Sequence, residues 1–232
     1  MRIVGIIGAM DEEVDVLKEQ MEVACIEEQA SLAFYVGKLF GQQAVVVRCG
    51  IGKVNAAICT QIMIDKFNVD MVINTGVAGA LSHTLNIGDI VISKDTLQYD
   101  MDATGFGYKL GEIPRMDESC FVADACLVAL AQKASESIDT ETNVFVERIV
   151  TGDQFISDSD KKEALIKTFG GFCTEMEGAS IGQVCYLNKM PYVVIRSISD
   201  KADQSAEMNY AEFVEVAVHN STKMIEGMLH LL

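Results

Sequence analysis

The sequence predicts a layered α/β sandwich built around a mixed β-sheet. Three observations carry that expectation: short apolar runs bounded by turn residues alternate with helical patterns, no linker interrupts them, and one pair of runs is joined too tightly for a crossover helix. The runs read as strands lie at Ile3 to Ile7, Phe34 to Leu39, Ala44 to Cys49, Met71 to Asn74, Ile90 to Ser93, Val144 to Val150 and Tyr192 to Ile195. Helical periodicity covers Glu12 to Gln20, Lys53 to Phe67, Asp124 to Ser137, Ser159 to Phe169, Glu177 to Leu187 and Tyr210 to Leu232. In the last of these, Phe213, Val216, Ala217, Met224 and Met228 form a stripe expected to face the core. Phe40-Gly41-Gln42-Gln43 is too short for a crossover, so the strands on either side of it pair as an antiparallel hairpin and the sheet is mixed.

With 232 residues, half of them apolar, the chain buries a substantial core, and residues 1–232 read as a single domain. No Pro/Ser-rich segment divides it, and its two prolines, Pro114 and Pro191, stand far apart. The apolar run at the amino terminus is too short for a signal peptide, and nothing later approaches a membrane span, so a cytoplasmic protein with no membrane partner is expected. A formal charge of −16 repels phosphate backbones and disfavours nucleic acid as a partner. Seven cysteines with no C-x-x-C pair fit a reduced compartment without a disulfide framework. His83, His219 and His230 share no metal-binding spacing, and no metal or other cofactor is expected.

Five segments stand out as candidates for chemistry or for lining a site. Tyr192-Val193-Val194-Ile195 gives way to Arg196-Ser197-Ile198-Ser199-Asp200, which sets an acid at the carboxyl end of a buried strand, where open α/β sheets keep their ligands. Taken locally, the segment reads first as structure, with Asp200 capping a following turn and Arg196 paired with an acidic neighbour. Gly8-Ala9-Met10-Asp11-Glu12-Glu13 puts three acids at a strand-to-helix junction, a pattern that the helix dipole alone also explains. Thr174-Glu175-Met176-Glu177-Gly178 brackets an apolar Met with two carboxylates, a combination suited to a sugar with hydroxyls on one edge. Gly50-Ile51-Gly52-Lys53 opens a helix but fails both the Walker A and the dinucleotide patterns, so it reads as a tight turn. Asn74-Thr75-Gly76-Val77-Ala78-Gly79 either lines a pocket or turns the chain. Three acidic sites on one rim, without metal ligands or a convincing nucleophile, point to acid/base hydrolysis.

Ile6-Ile7-Gly8-Ala9-Met10-Asp11-Glu12-Glu13, Thr151-Gly152-Asp153-Gln154-Phe155-Ile156, Glu175-Met176-Glu177 and Arg196-Ser197-Ile198-Ser199-Asp200, with Gly50-Ile51-Gly52-Lys53 and Phe106-Gly107-Tyr108 between them, occur in the order found in bacterial 5′-methylthioadenosine/S-adenosylhomocysteine nucleosidases, which the chain resembles nearly end to end. The resemblance implies a nucleoside phosphorylase-like α/β/α fold, a homodimer, and hydrolysis of the adenine N-glycosidic bond without a cofactor. It implies Asp200 as the general acid at adenine N7, supported by Ser199 and Arg196, Glu13 as the base for water, and Glu177 on the ribose hydroxyls. Met176 would pack on the ribose, with Glu175 beside it; Phe155 would stack on the purine, and the Ile156 backbone would read its edge. Met10, Ile51 and Tyr210 match positions around the 5′-thio group, while Phe106 and Pro114 match residues that a second subunit contributes. The chain differs from the family pattern in carrying Val77 for a Ser, Gly178 for an Ala and Tyr210 for a Phe, and in lacking a His around Gln98 to Asp102. A phosphate-dependent purine nucleoside phosphorylase and a nucleoside-binding homologue without turnover are the alternatives. Acids in the first loop disfavour the former, and joint retention of Glu13, Glu177 and Asp200 disfavours the latter.

Overall fold

The computed structural model describes residues 2–136, 138 and 142–232. Within them ten strands form one mixed sheet with six α-helices packed against it, the layered α/β arrangement the alternation predicts. β1 (Ile3–Gly8) pairs parallel with β4 (Gln42–Arg48) and with β5 (Met71–Ala80). Beyond β4, β3 (Leu32–Leu39) and β2 (Glu22–Gln29) extend the sheet antiparallel. On the other side β5 pairs parallel with β10 (Tyr192–Asp200), followed by β6 (Ile90–Gln98), β8 (Val144–Thr151) and β9 (Cys173–Glu175), and β9 returns to the end of β5. Those five strands close a ring, which removes the free edges an open sheet would carry. β7 (Cys120–Val122) adds to β6.

Alternation along the strands assigns the layers. Ile7, Val47, Val72 and Val194 pack with residues of α2 (Lys53–Phe67) and α5 (Gly178–Asn188). Their neighbours Ile6, Val46, Ile73 and Val193 pack with α1 (Asp11–Glu19), α3 (Ala125–Ser135) and α6 (Ala206–Leu231). Burial on both faces is why these strands read as unbroken apolar runs rather than as alternating ones. A third cluster seats α4 (Ser159–Phe169) through Leu165 and Phe169 on Leu81, Leu97 and Val150.

The hairpin forms as expected, with Phe40 and Gly41 both at positive φ (49° and 83°), the two-residue turn that matches strand twist. Helix ends follow capping chemistry: Asp158 accepts the Lys161 N–H at 2.8 Å, Asp124 caps α3, and left-handed Asn68 and Gly170 close α2 and α4. The expected end of α3 at Ser137 lies outside the described residues. In α6, Ala217, Met224 and Met228 are buried and Phe213 is half-buried, but Val216 turns to solvent, one helical step away from the buried Ala217. That helix also begins at Ala206, four residues before the expected Tyr210.

Two expectations about strand ends are corrected. β10 does not break at Ile195, and Asn74 to Gly79 does not turn the chain, because the two segments pair with each other; Val77, Ala78 and Gly79 line a cavity instead, the other reading of that segment. Arg196 lies opposite Gly76, Ser197 opposite Val77 and Ile198 opposite Ala78, so the ladder continues through residues whose composition suggests a stop. β2 is missed because all its residues are exposed, and β7 and β9 because three residues carry no period. Among the described residues no helix is long and apolar enough to cross a membrane.

Candidate active site

The ends of β1, β5, β9 and β10 converge on a cavity of about 480 Å³. Its lining includes Met10, Glu13, Ile51, Val77, Phe155, Ile156, Glu175, Met176, Glu177, Arg196, Ser199, Asp200 and Tyr210. Thirteen of the fifteen residues singled out from the sequence therefore meet in one place. Phe106 and Pro114 do not join them: Phe106 is 89% exposed on a 3₁₀ turn (Thr104–Phe106), and Pro114 is half-buried elsewhere.

Glu13 is the third residue of α1 and folds back on its own helix start. Its Oε2 accepts the N–H groups of Ala9 (2.6 Å) and Met10 (3.1 Å), and its Oε1 accepts the Val77 N–H (3.1 Å). Three amides leave one lone-pair direction of the carboxylate for a further donor. Burial raises its pKa against the pull of Arg196 and those amides. Of its neighbours, Asp11 turns outward to Arg48 (3.2 Å) and Lys18 (3.7 Å), and Glu12 is exposed, so only one of the three acids reaches the cavity.

Arg196 is fully buried on β10 and organises the other carboxylates. Its Nη2 donates to Asn74 Oδ1 (2.7 Å), to Glu175 and to Glu177 Oε2 (3.3 Å), while its Nη1 lies 3.8 Å from Glu13 Oε1. The guanidinium therefore gathers Glu13, Glu175 and Glu177, and no hydrogen bond or ion pair joins it to Asp200, four residues along the strand. Direct support of Asp200 by Arg196 is thereby corrected. Gly76 makes the cluster possible, since a Cβ there would overlap both Arg196 Nη1 and Glu13 Oε1.

Glu175 lines the cavity, but its oxygens are committed: Thr151 Oγ1 and Arg196 donate to it, as do the amides of Glu177 (3.0 Å) and Gly178 (2.7 Å). Glu177 remains directed to the cavity, held by the Gly52 N–H at 2.9 Å. Burial lifts its pKa to about 7 against Arg196, with Glu175 and Glu13 adding to the rise. The Gly50 to Lys53 turn is thus a carboxylate seat. Gly52 at φ +100° presents its N–H to Glu177, and the Lys53 N–H donates to Asp153 at 2.8 Å, which occupies the amides a phosphate would need.

Asp200 is 3% exposed, and burial raises its pKa. Ser199 Oγ donates to Oδ2 (2.9 Å) and the Ala202 N–H to Oδ1 (2.8 Å), so Asp200 both caps the following turn and faces the cavity. Lys162 Nζ fixes that turn by donating to the Lys201 carbonyl (2.6 Å). Opposite, Phe155 meets Tyr210 edge-on at 6.0 Å, and the Tyr210 hydroxyl donates to Met10 Sδ at 3.1 Å. Val77 contributes its N–H to Glu13 and packs its side chain on Ala217 and Val218. Sequence reasoning placed Asn74 in a possible pocket segment but not as the anchor of Arg196, and it missed Lys162 behind the Asp200 turn and Glu207 on the cavity lining.

Residues 3–230 match the model of the phosphorylase superfamily. A 5′-methylthioadenosine/S-adenosylhomocysteine nucleosidase of an Exiguobacterium species is 45% identical over 223 residues, covering 96% of this chain and 95% of that protein. The crystal structure of the corresponding Neisseria meningitidis nucleosidase with methylthio-immucillin-A superimposes with a TM-score of 0.96 at 37% identity, each chain covered in full (100%). That of the Colwellia psychrerythraea nucleosidase with adenine does so at 0.94 and 40% identity, over 98% of this chain and 94% of the other. This fold is thus nucleoside phosphorylase-like, and the chain belongs to the 5′-methylthioadenosine/S-adenosylhomocysteine nucleosidases, purine N-ribosyl hydrolases of the phosphorylase superfamily.

Proposed function

We propose that residues 1–232 act as one catalytic domain that hydrolyses the N-glycosidic bond of 5′-methylthioadenosine, S-adenosylhomocysteine and 5′-deoxyadenosine, releasing adenine and the 5-substituted ribose. The observation that carries this reading is that Glu13, Glu177 and Asp200, distant in sequence, open on one cavity. Asp200 protonates adenine N7, with Ser199 holding its carboxyl. Its raised pKa favours retention of that proton until the transition state. Glu13 receives a proton from the attacking water. Glu177 binds the ribose hydroxyls, and the carboxylate cluster, three acids against one guanidinium, stabilises the cationic sugar as the bond to adenine breaks. Phe155 stacks on the purine with the Ile156 backbone at its edge, Met176 packs on the ribose, and Met10, Ile51 and Tyr210 surround the 5′ group. Acid or base catalysis contributes about 10²- to 10⁴-fold apiece, so the two together with electrostatic stabilisation account for cleavage of a stable bond.

The enzyme acts as a homodimer in which Phe106 and Pro114 complete the site of a second copy. Supporting this, Phe106 stands out from the surface, and α2 and α5, joined through Gln61 and Asn188, leave Val54, Ile58 and Leu187 exposed. Seven unpaired cysteines accord with a place in the cytoplasm. Water rather than phosphate is the nucleophile, because the groups able to hold an anion are already engaged by Glu175, Glu177 and Asp153. The test is a product assay with methylthioadenosine, S-adenosylhomocysteine, 5′-deoxyadenosine, adenosine and inosine, each with and without phosphate. Phosphate-independent release of adenine from the first three is expected, and a strict requirement for phosphate would overturn the hydrolase.

A further inference from the structure

Three loops meet behind the wall where Ile51 and Phe155 face the cavity, and a closed ring of contacts joins them. Lys53 donates its backbone N–H to Asp153 Oδ1 (2.8 Å) and its Nζ to Asp100 Oδ1 (2.6 Å), and the Asp153 N–H donates to Asp100 Oδ2 (3.0 Å). Each residue thus touches the other two. The excess negative charge of two carboxylates against one ammonium falls at the amino terminus of α2, where the helix dipole offsets it. Lys53 Nζ also donates to Gln98 Oε1 (3.0 Å), whose amide donates to Gln183 on α5 (2.6 Å).

Burial anchors the Phe155 loop at its two ends, Gly152 and Ile156, and the Tyr99 hydroxyl donates to the Gln154 carbonyl (3.4 Å), but the stretch between is open. Asp153, Gln154 and Phe155 are all exposed, so the apolar core contributes little to fixing them. The ring supplies what burial does not, and its reach extends further. The residue before Lys53 is Gly52, whose amide seats Glu177, so one network reaches both the aromatic wall and the Glu177 carboxylate.

We propose that Lys53, Asp100 and Asp153 form a positioning clamp that fixes the Phe155–Ile156 wall against the Gly52–Glu177 contact and thereby determines how tightly the purine is held. The inference rests on the nucleosidase reading of the same cavity. None of the three touches the reacting atoms, so their effect falls on binding more than on the chemical step.

Asp100→Asn and Lys53→Met each break the charged link while leaving the Lys53 N–H to Asp153 contact in place. Adenine affinity by titration, kcat and KM for methylthioadenosine, and Tm are measured for both variants and the wild type. Loss of a partly buried charge-assisted bond predicts a rise of about ten- to a hundredfold in the adenine Kd and in KM. Tm should fall by only several degrees, roughly 3 to 8 °C, so that the variants stay folded at assay temperature, and kcat should fall less than KM rises. The Lys53→Met/Asp100→Asn pair should be no worse than the poorer single variant, as members of one ring require. Unchanged Kd and KM in folded variants, or a loss confined to kcat, would overturn the clamp. A wild-type protein that releases no adenine would instead overturn the nucleosidase reading. Adenine titration then still judges the clamp: equal binding by wild type and variants, or none by any, refutes it.

Discussion

Asp200→Asn separates the proposed proton donor from its surroundings. The Asn carbonyl can still accept the Ala202 N–H that Asp200 Oδ1 accepts at 2.8 Å. Its amide would face Ser199 Oγ, which can accept from it by turning its own proton to the Ala78 carbonyl at 3.5 Å. The fold is therefore retained, and the sign of the stability change follows from the raised pKa. The native protein binds this proton more tightly than the unfolded chain, so the stability it lends is lost as pH rises through the native pKa. At neutral pH the variant, which carries no ionisable group there, should melt at or above the wild-type temperature. The rate behaves oppositely. An amide cannot protonate N7, and losing a general acid costs about 10²- to 10⁴-fold, or roughly 3 to 5 kcal/mol of barrier. Adenine release from methylthioadenosine, followed spectrophotometrically beside a thermal melt, should fall by at least about a hundredfold with Tm maintained. Turnover within about tenfold of wild type in a folded variant would remove Asp200 from the chemistry.

Glu177, lifted to about 7 by burial and its acidic neighbours, keeps in the native state a proton that the unfolded chain releases near 4.5, so stability from this group falls as pH rises across that window. Glu177→Gln should remove that slope, by up to about 3 kcal/mol between pH 5 and 7.5, and melting curves that stay parallel to wild type across that range would contradict the assignment. Gly76→Ala should cost about 1 to 3 kcal/mol through overpacking and reduce turnover by at least about a hundredfold as Arg196 and Glu13 are pushed apart; a variant with wild-type Tm and turnover would show that the cluster tolerates a Cβ.

The fold was legible where burial and capping agree. α2 and α4 fall at their expected boundaries because Gly52, Asn68, Asp158 and Gly170 mark them chemically. Legibility failed where pairing rather than composition sets the element: β5 and β10 continue through Thr75, Gly76, Arg196 and Ser197 because each strand satisfies the other. In the site, Glu13, Glu177 and Asp200 were visible as acids at element junctions, yet their convergence depends on a ring closure that no local pattern encodes. That Arg196 pairs with an acidic neighbour was legible locally, but that its partners are Glu13, Glu175 and Glu177 was not, because its Asn74 anchor lies 122 residues away on the neighbouring strand.

The central claim, that these carboxylates direct water to the anomeric carbon, is tested most directly by running the reaction with methylthioadenosine in phosphate-free oxygen-18 water. Undiminished adenine release with one labelled oxygen at the sugar's anomeric carbon is the predicted result. Release that requires added phosphate, with a sugar 1-phosphate as product, would contradict it.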